Sequence, residues 1–197
     1  MKTIYLATHN QGKQKELSAL LQDTNIQCIF PEIEDAPDET ASTFVENALI
    51  KARHGCLQSG LPTLADDAGL VIPALNGAPG IFSARYAGEH GNNKANIEKV
   101  LQEMQGKENR QAYFCCVLVV LRHANDPCPL IAQGIWQGEI LTEPRGENGF
   151  GYDPLFLCPE KNCSAAELDA ATKNQLSHRG KALQMLKQTL LKNWQSQ

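Results

Sequence analysis

Thr8-His9-Asn10-Gln11-Gly12-Lys13 is a polar hexapeptide between a short apolar run, Ile4 to Ala7, and an amphipathic stretch with Leu17, Leu20 and Leu21 on one face. That order reads as strand, tight loop and helix. A loop that opens a helix presents free backbone N–H groups and partial positive charge, which suits a phosphate. Lys13 and Lys15 fall in the first helical turn, where cations are normally unfavourable; an anion in the loop would remove the conflict. The reading without a ligand is a solvated turn whose lysines reach into water. A second segment, Leu64-Ala65-Asp66-Asp67-Ala68-Gly69-Leu70, sets two carboxylates side by side in an apolar strand pattern. Neighbouring strand residues face opposite sides, so both carboxylates enter one pocket only where the strand ends. One is expected to serve a site and the other to bond backbone groups in a turn before Gly69. An Asx turn in a hairpin is the reading that needs no ligand. A carboxylate beside a phosphate suits Mg2+, which takes oxygen ligands and usually only one or two protein carboxylates. Asp38 and Glu39 are candidates for the second, although acids there also suit the helix that follows.

Gly149-Phe150-Gly151-Tyr152-Asp153-Pro154 alternates glycines with aromatics. Glycine permits close approach of a ligand, and an aromatic held in such a loop can stack on a nucleobase for about 1–3 kcal/mol. The plain alternative is a turn whose aromatics cover the core. In Ser177-His178-Arg179-Gly180-Lys181, with Lys173 upstream, potential cations crowd a helix N-terminus against its dipole. Gly180 adds a cost of about 1 kcal/mol relative to alanine. Donors aimed at a ligand would explain both; a solvated basic turn is the alternative. Gly77-Ala78-Pro79-Gly80 and Ser83-Ala84-Arg85-Tyr86 read as a turn and a strand, and His54, His90 and His123 as exposed. The four segments supply a phosphate cradle, a metal carboxylate, a stacking loop and a donor cluster, the parts of a nucleoside triphosphate site. Gly12-Lys13 lacks the earlier glycine and following hydroxyl of a Walker loop, and no kinase His-Arg-Asp motif is present, so an ordinary ATPase or kinase is excluded.

The elements that must carry these residues alternate early and become strand-rich in the middle. Strands are expected over 3–7, 26–30, 62–66, 69–74, 111–122, 130–136 and 154–157, and helices over 13–22, 43–59, 93–105, 165–171 and 178–194. Thr43 with Glu46 and Ser164 with Glu167 fit capping boxes, and Ser177 is a plausible N-cap. Tyr113 to Leu121 is almost wholly apolar and should be a central strand covered on both faces. The result is an α/β chain with a mixed sheet flanked by helices, one domain over residues 1–197. The hydrophobic share of 42% is ordinary for a globular protein, and no apolar run is long enough for a membrane span or laid out as a signal peptide, which points to the cytoplasm. A net charge of −4 argues against a duplex-binding protein but not against nucleotides. The seven cysteines include no Cys-x-x-Cys pair and read as reduced, mostly buried thiols rather than a zinc site.

Together with Thr43-Phe44-Val45-Glu46-Asn47-Ala48, these segments, in this order, resemble the inosine triphosphate pyrophosphatase family, the XTP/dITP diphosphatases, from Ile4 to about Leu191. The resemblance implies a two-lobed α/β fold with an elongated mixed sheet, an active-site cleft between the lobes and a homodimer. It implies Mg2+-dependent conversion of ITP, dITP and XTP to the monophosphate and pyrophosphate, clearing deaminated purines from the nucleotide pool. By the same resemblance Thr8, His9, Asn10, Gln11, Gly12 and Lys13 hold the phosphates. Asp67 is proton acceptor and metal ligand, with Glu39 as the second metal ligand. Ala68, Phe150, Gly151, Tyr152, Asp153, Lys173, His178 and Arg179 contact substrate. Two positions depart from many relatives: Ala68 replaces a serine, losing a hydroxyl contact, and His9 replaces a glycine.

The chemistry expected is attack of water on the α-phosphorus, with Asp67 as base and Mg2+ and Lys13 offsetting phosphate charge. Hypoxanthine and xanthine present a 6-oxo acceptor, whereas adenine presents a 6-amino donor. Donors such as Arg179 or Lys173 would be left unpaired against adenine, at about 1–3 kcal/mol each. The rival readings are a Maf-type pyrophosphatase acting on pyrimidine or other modified nucleotides, and a nucleotide-binding module without catalysis.

Overall fold

The structure, a computed structural model, describes residues 2–22, 26–31 and 35–194. Its strands are β1 (Lys2–Leu6), β2 (Ile26–Ile29), β3 (Thr63–Val71), β4 (Gln111–Leu121), β5 (Leu130–Ile140), β6 (Phe156–Cys158) and β7 (Cys163–Ser164). The helices are α1 (Gln11–Leu21), α2 (Phe44–Ser59), α3 (Asn93–Glu103), α4 (Ala170–Leu176) and α5 (His178–Trp194). The strands form one open, mixed sheet in the order β2-β1-β3-β4-β5-β6-β7. β1 runs parallel to β2 and β3, while β6 is antiparallel to β5 and β7. β4 occupies the middle and is buried from Phe114 to Leu121, as its apolar run requires. Cys115 and Cys116 are both buried within it, and all seven cysteines are free thiols.

Three expectations are corrected. The strands expected at 62–66 and 69–74 are one strand, β3, with Asp66 and Asp67 in its interior rather than in a turn. Cationic side chains partner both carboxylates, so charge does not force the strand to end. Gly80–Arg85 is a 3-10 helix instead of a strand. The helix expected at 165–171 divides into a 3-10 turn, Ala165–Glu167, and α4, because Asp169 caps α4 separately by accepting from the Thr172 N–H. The capping box at Ser164 is present as read, whereas at Thr43 the hydroxyl accepts from the Glu46 N–H and donates to the Glu46 carboxylate, so the N-cap forms without the reciprocal backbone bond.

The chain divides into two compact units. The first comprises residues 1–67, 116–134 and 179–197, with Ile4, Leu6, Leu17, Ala52, Leu64 and Leu118 in its interior. Leu21 is buried beside Leu17, whereas the side chain of Leu20 lies outside the described residues. Gly55 lets α2 press against β1 and β3: a Cβ there would stand 2.7 Å from Thr63 Cγ2 and 3.1 Å from Tyr5 Cδ1. The second unit comprises residues 68–115 and 135–178, around Phe114, Trp136 and Phe156. Phe156 lies 4.6 Å from the Phe114 ring and 4.9 Å from that of Trp136. Among the described residues, no helix is long and apolar enough to cross a membrane.

Candidate functional site

In the first unit the segment after β1 orders itself. Thr8 Oγ1 accepts from the Asn10 N–H at 3.3 Å, and Gln14 Nε2 donates to the Thr8 carbonyl at 2.8 Å. Asn10 is the N-cap of α1, its Oδ1 accepting from the Lys13 N–H at 3.1 Å. His9 lies in the same loop, and Gln11, Gly12 and Lys13 form the first helical turn. Lys13 Nζ is 3.0 Å from Asp66 Oδ2. The counter-charge that the sequence seemed to require from a ligand is therefore present within the chain. Lys15 stays exposed.

Asp66 is also 3.3 Å from a terminal nitrogen of Arg179, whose guanidinium binds Glu16 of α1 as well. In this four-member cluster Asp66 and Arg179 are buried, only 1% and 3% exposed, while Lys13 and Glu16 are partly exposed. Burial alone would push the Asp66 carboxyl up, but Lys13, Arg179 and Lys51 outweigh it and hold it well below the usual range. Burial likewise opposes the Arg179 charge, while Asp66 and Glu16 raise its affinity for its proton above that of an ordinary guanidinium.

Asp67 faces the other way, as strand alternation demands. Its Oδ1 lies 3.2 Å from Lys51 Nζ, which is 2.6 Å from Glu39 Oε1. Both expected metal carboxylates thus gather on one ammonium. Burial raises the Asp67 carboxyl above its ordinary value, Lys51 pulls it down, and Glu39 adds to the rise. Lys51 itself loses charge stability to burial but gains more from Asp67, Asp66 and Glu39, so it binds its proton more tightly than a free lysine. Two hard oxygen donors are of the type Mg2+ takes from a protein.

The second unit holds the other expected residues. Asp153 Oδ2 accepts from the Phe150 N–H at 2.8 Å and from Lys173 Nζ at 2.7 Å. Lys173 Nζ stands 4.9 Å from the Phe150 ring centroid, a cation–π contact. Gly149 makes this possible: it has φ +76°, and a Cβ there would lie 2.1 Å from Asp153 Oδ2. Gly151 also has positive φ, and Ala68 is partly exposed on β3. Tyr152 is only 5% exposed, its hydroxyl donating to the Ser83 carbonyl at 2.9 Å. Its ring is committed to the core, which leaves stacking to Phe150. The His178 ring stacks on Phe114 at 4.7 Å.

The sequence grouped Lys173, His178 and Arg179 as one donor cluster at a helix start. In the structure Lys173 lies in the last turn of α4 and binds Asp153, while Arg179 pairs with Asp66 and Glu16. One aspartate of the pair was expected to bond turn backbone; the structure has no turn there, and Asp66 holds two cations. Glu16 and Lys51 were missed. Glu16 sits one turn beyond Lys13, and Lys51 follows Asn47 by four on the face of α2 that buries Ala48 and Ala52; a lysine on such a stripe was the available signal. His54, expected to be exposed, is partly buried 3.4 Å from Asp35.

The Ham1 family model matches residues 4–189. The chain is 55% identical over 190 residues to a dITP/XTP pyrophosphatase of Vibrio cholerae, covering 94% of this chain and 95% of that one. A solved structure of a HAM1 protein from Coxiella burnetii superposes with a TM-score of 0.89 at 49% identity, covering 98% and 100% of the two chains. A nucleoside-triphosphatase, dITP/XTP pyrophosphatase, from Mycobacterium abscessus gives a TM-score of 0.74 at 38% identity, covering 93% of this chain and 98% of its own.

Proposed function

Because the chain belongs to the Ham1 family, we propose that it hydrolyses dITP, XTP and ITP to the monophosphate and pyrophosphate, with Mg2+, in the cytoplasm and as a homodimer. The observation that carries the reading is the gathering of Glu39 and Asp67 on Lys51, in the unit that also holds the Lys13 turn. The names of the relatives support the substrate class.

Glu39 and Asp67 would hold Mg2+, which when bound offsets phosphate charge. The Gln11 and Gly12 N–H groups in the first turn of α1, which have no intrahelical acceptors, would meet phosphate oxygens. The Lys13 ammonium adds positive charge where negative charge builds on the phosphates, the dominant contribution in phosphoryl transfer. Asp67 Oδ accepts the proton of the attacking water. Phe150 offers its ring to the base, and Lys173, steadied by Asp153, donates to the 6-oxo group. Against the 6-amino group of adenine that donor would be left unpaired. This contact separates deaminated adenine nucleotides from adenine nucleotides, one part of what clearance of deaminated purines from the nucleotide pool requires; guanine shares the 6-oxo group and is not rejected by it.

The test is pyrophosphate release from dITP, XTP, dATP and dUTP, with Mg2+ and with a chelator. Turnover of dITP and XTP that requires the metal is expected. Asp67→Asn should lower kcat by about 10²–10⁴-fold, the usual share of a positioned base. Preference for dUTP, or an undiminished Asp67→Asn variant, would overturn the reading.

A further inference from the structure

Cys158 and Cys163 oppose each other across the β6–β7 hairpin, partnered residue for residue in its antiparallel register. Such partners have Cα atoms about 4.5–5.5 Å apart with side chains on one face. That lies within the roughly 4.4–6.8 Å a disulfide spans. Both are free thiols: Cys158 is fully buried in the core of the second unit, and Cys163, partly exposed, packs against that core. We propose that the pair is an oxidation site, a dithiol that closes reversibly into an intramolecular disulfide and thereby weakens binding of the purine base. The second half rests on the function proposed above.

The chemistry balances with a peroxide as oxidant. The Cys163 thiolate sulfur attacks one peroxide oxygen, the O–O bond breaks, and a water leaves with a sulfenic acid formed on Cys163. The Cys158 sulfur then attacks that sulfur, the S–O bond breaks, a second water leaves and the S–S bond forms. Two thiols lose two electrons and two protons, and the peroxide is reduced to two waters. Cys163 is the entry point because it is the partly exposed partner. Burial raises its thiol above the ordinary value, with Cys158 and Glu167 adding to the effect, so thiolate is scarce at neutral pH and the first step quickens as pH rises.

The hairpin also seats the loop that holds Phe150. The Ser164 hydroxyl, next to Cys163, donates to the Arg145 carbonyl at 2.7 Å. The Arg145 N–H donates to the Pro154 carbonyl at 2.8 Å, and the Asn148 N–H to that of Ala166 at 3.0 Å. Gly146 presses on the same turn: a Cβ there would meet the Ala166 carbonyl carbon at 2.6 Å. A bond between Cys158 and Cys163 therefore stiffens the hairpin on which the anchors of residues 145–153 rest.

The experiment treats the full chain with hydrogen peroxide at mildly alkaline pH, caps remaining thiols and maps trypsin peptides by mass. Trypsin cuts at Lys161, between the two cysteines, so a bridge joins two peptides. The expected result is that joined pair, a several-fold rise in KM for dITP with kcat nearly unchanged, and full reversal by dithiothreitol. Cys163→Ser and Cys158→Ala should each keep the untreated KM under peroxide. Capped thiols at both positions, or Cys163 ending as a sulfinic acid or joined to another molecule, would overturn the dithiol. A joined pair with unchanged KM would overturn the coupling. The peptide masses read the bridge whatever the substrate is, whereas failure of the function would show as no dITP turnover before oxidation.

Discussion

Lys51 shows how much of the chemistry hangs on a residue that carries no motif. It lowers the Asp67 carboxyl while burial and Glu39 raise it. Lys51→Met should therefore shift the Asp67 titration to higher pH. A carboxyl carbon-13 titration of the metal-free protein would measure this, with the wild-type value already above the ordinary 3.9 or so. Asp66 is the opposite case. Its carboxyl is held low, so it contributes stability that is complete above about pH 3.9 and lost as pH falls toward its native value. Asp66→Asn should cost about 3–5 kcal/mol in urea unfolding at pH 7, because Arg179 and Lys13 lose a buried counter-charge. That difference should narrow in acid. The carboxylate pairs Asp66-Asp67 and Asp38-Glu39 and the Lys13 turn stood out in the sequence because they form local patterns, whereas the choice of Asp67 and Glu39 within those pairs came from the family resemblance. The roles of Glu16, Lys51 and Asp66 were not, because each is fixed by a partner remote in sequence: Lys13 lies 53 residues from Asp66, and Arg179 lies 163 from Glu16.

Elements set where these residues stand, and the loop after β5 is the most exacting. Gly149→Ala would force a Cβ onto the Asp153 carboxylate at a backbone conformation that L side chains rarely adopt. The expected outcome is a loss of about tenfold or more in the preference for dITP over dATP, the scale of one unpaired donor, measured as a ratio of kcat/KM values. At α2, Thr43→Ala removes the N-cap acceptor for the Glu46 N–H and should cost about 1 kcal/mol in thermal or urea unfolding without changing KM. Helices α1, α2, α3 and α5, the central strand and the caps at Thr43 and Ser164 were readable because periodicity and caps are local signals. β3 was misread as two strands because its aspartates resemble a turn, and only their cationic partners let them be buried. β7 has two residues, Cys163–Ser164, too short for any period to register.

For the whole molecule, the chain passes from one compact unit to the other at 67/68, 115/116, 134/135 and 178/179. Neither unit is a continuous stretch of sequence, and β3, β4 and β5 each contribute residues to both. Unfolding in urea should follow one transition, coincident by far-ultraviolet circular dichroism and tryptophan fluorescence. A fragment ending at residue 134 should lack a cooperative transition altogether. The mixed α/β class was legible from the alternation of elements, whereas these crossings depend on pairings remote in sequence. The Arg179–Asp66 pair has a consequence for synthesis. Arg179 trails Asp66 by 113 residues, so a ribosome exposes the strand bearing the aspartates long before their last buried cation exists. A nascent chain can form β1, α1 and β3 and still hold an unbalanced charge at their centre. Competence to hydrolyse a nucleotide would then arrive late and all at once, when α5 leaves the exit tunnel, and a polypeptide released early would be inert rather than partly active.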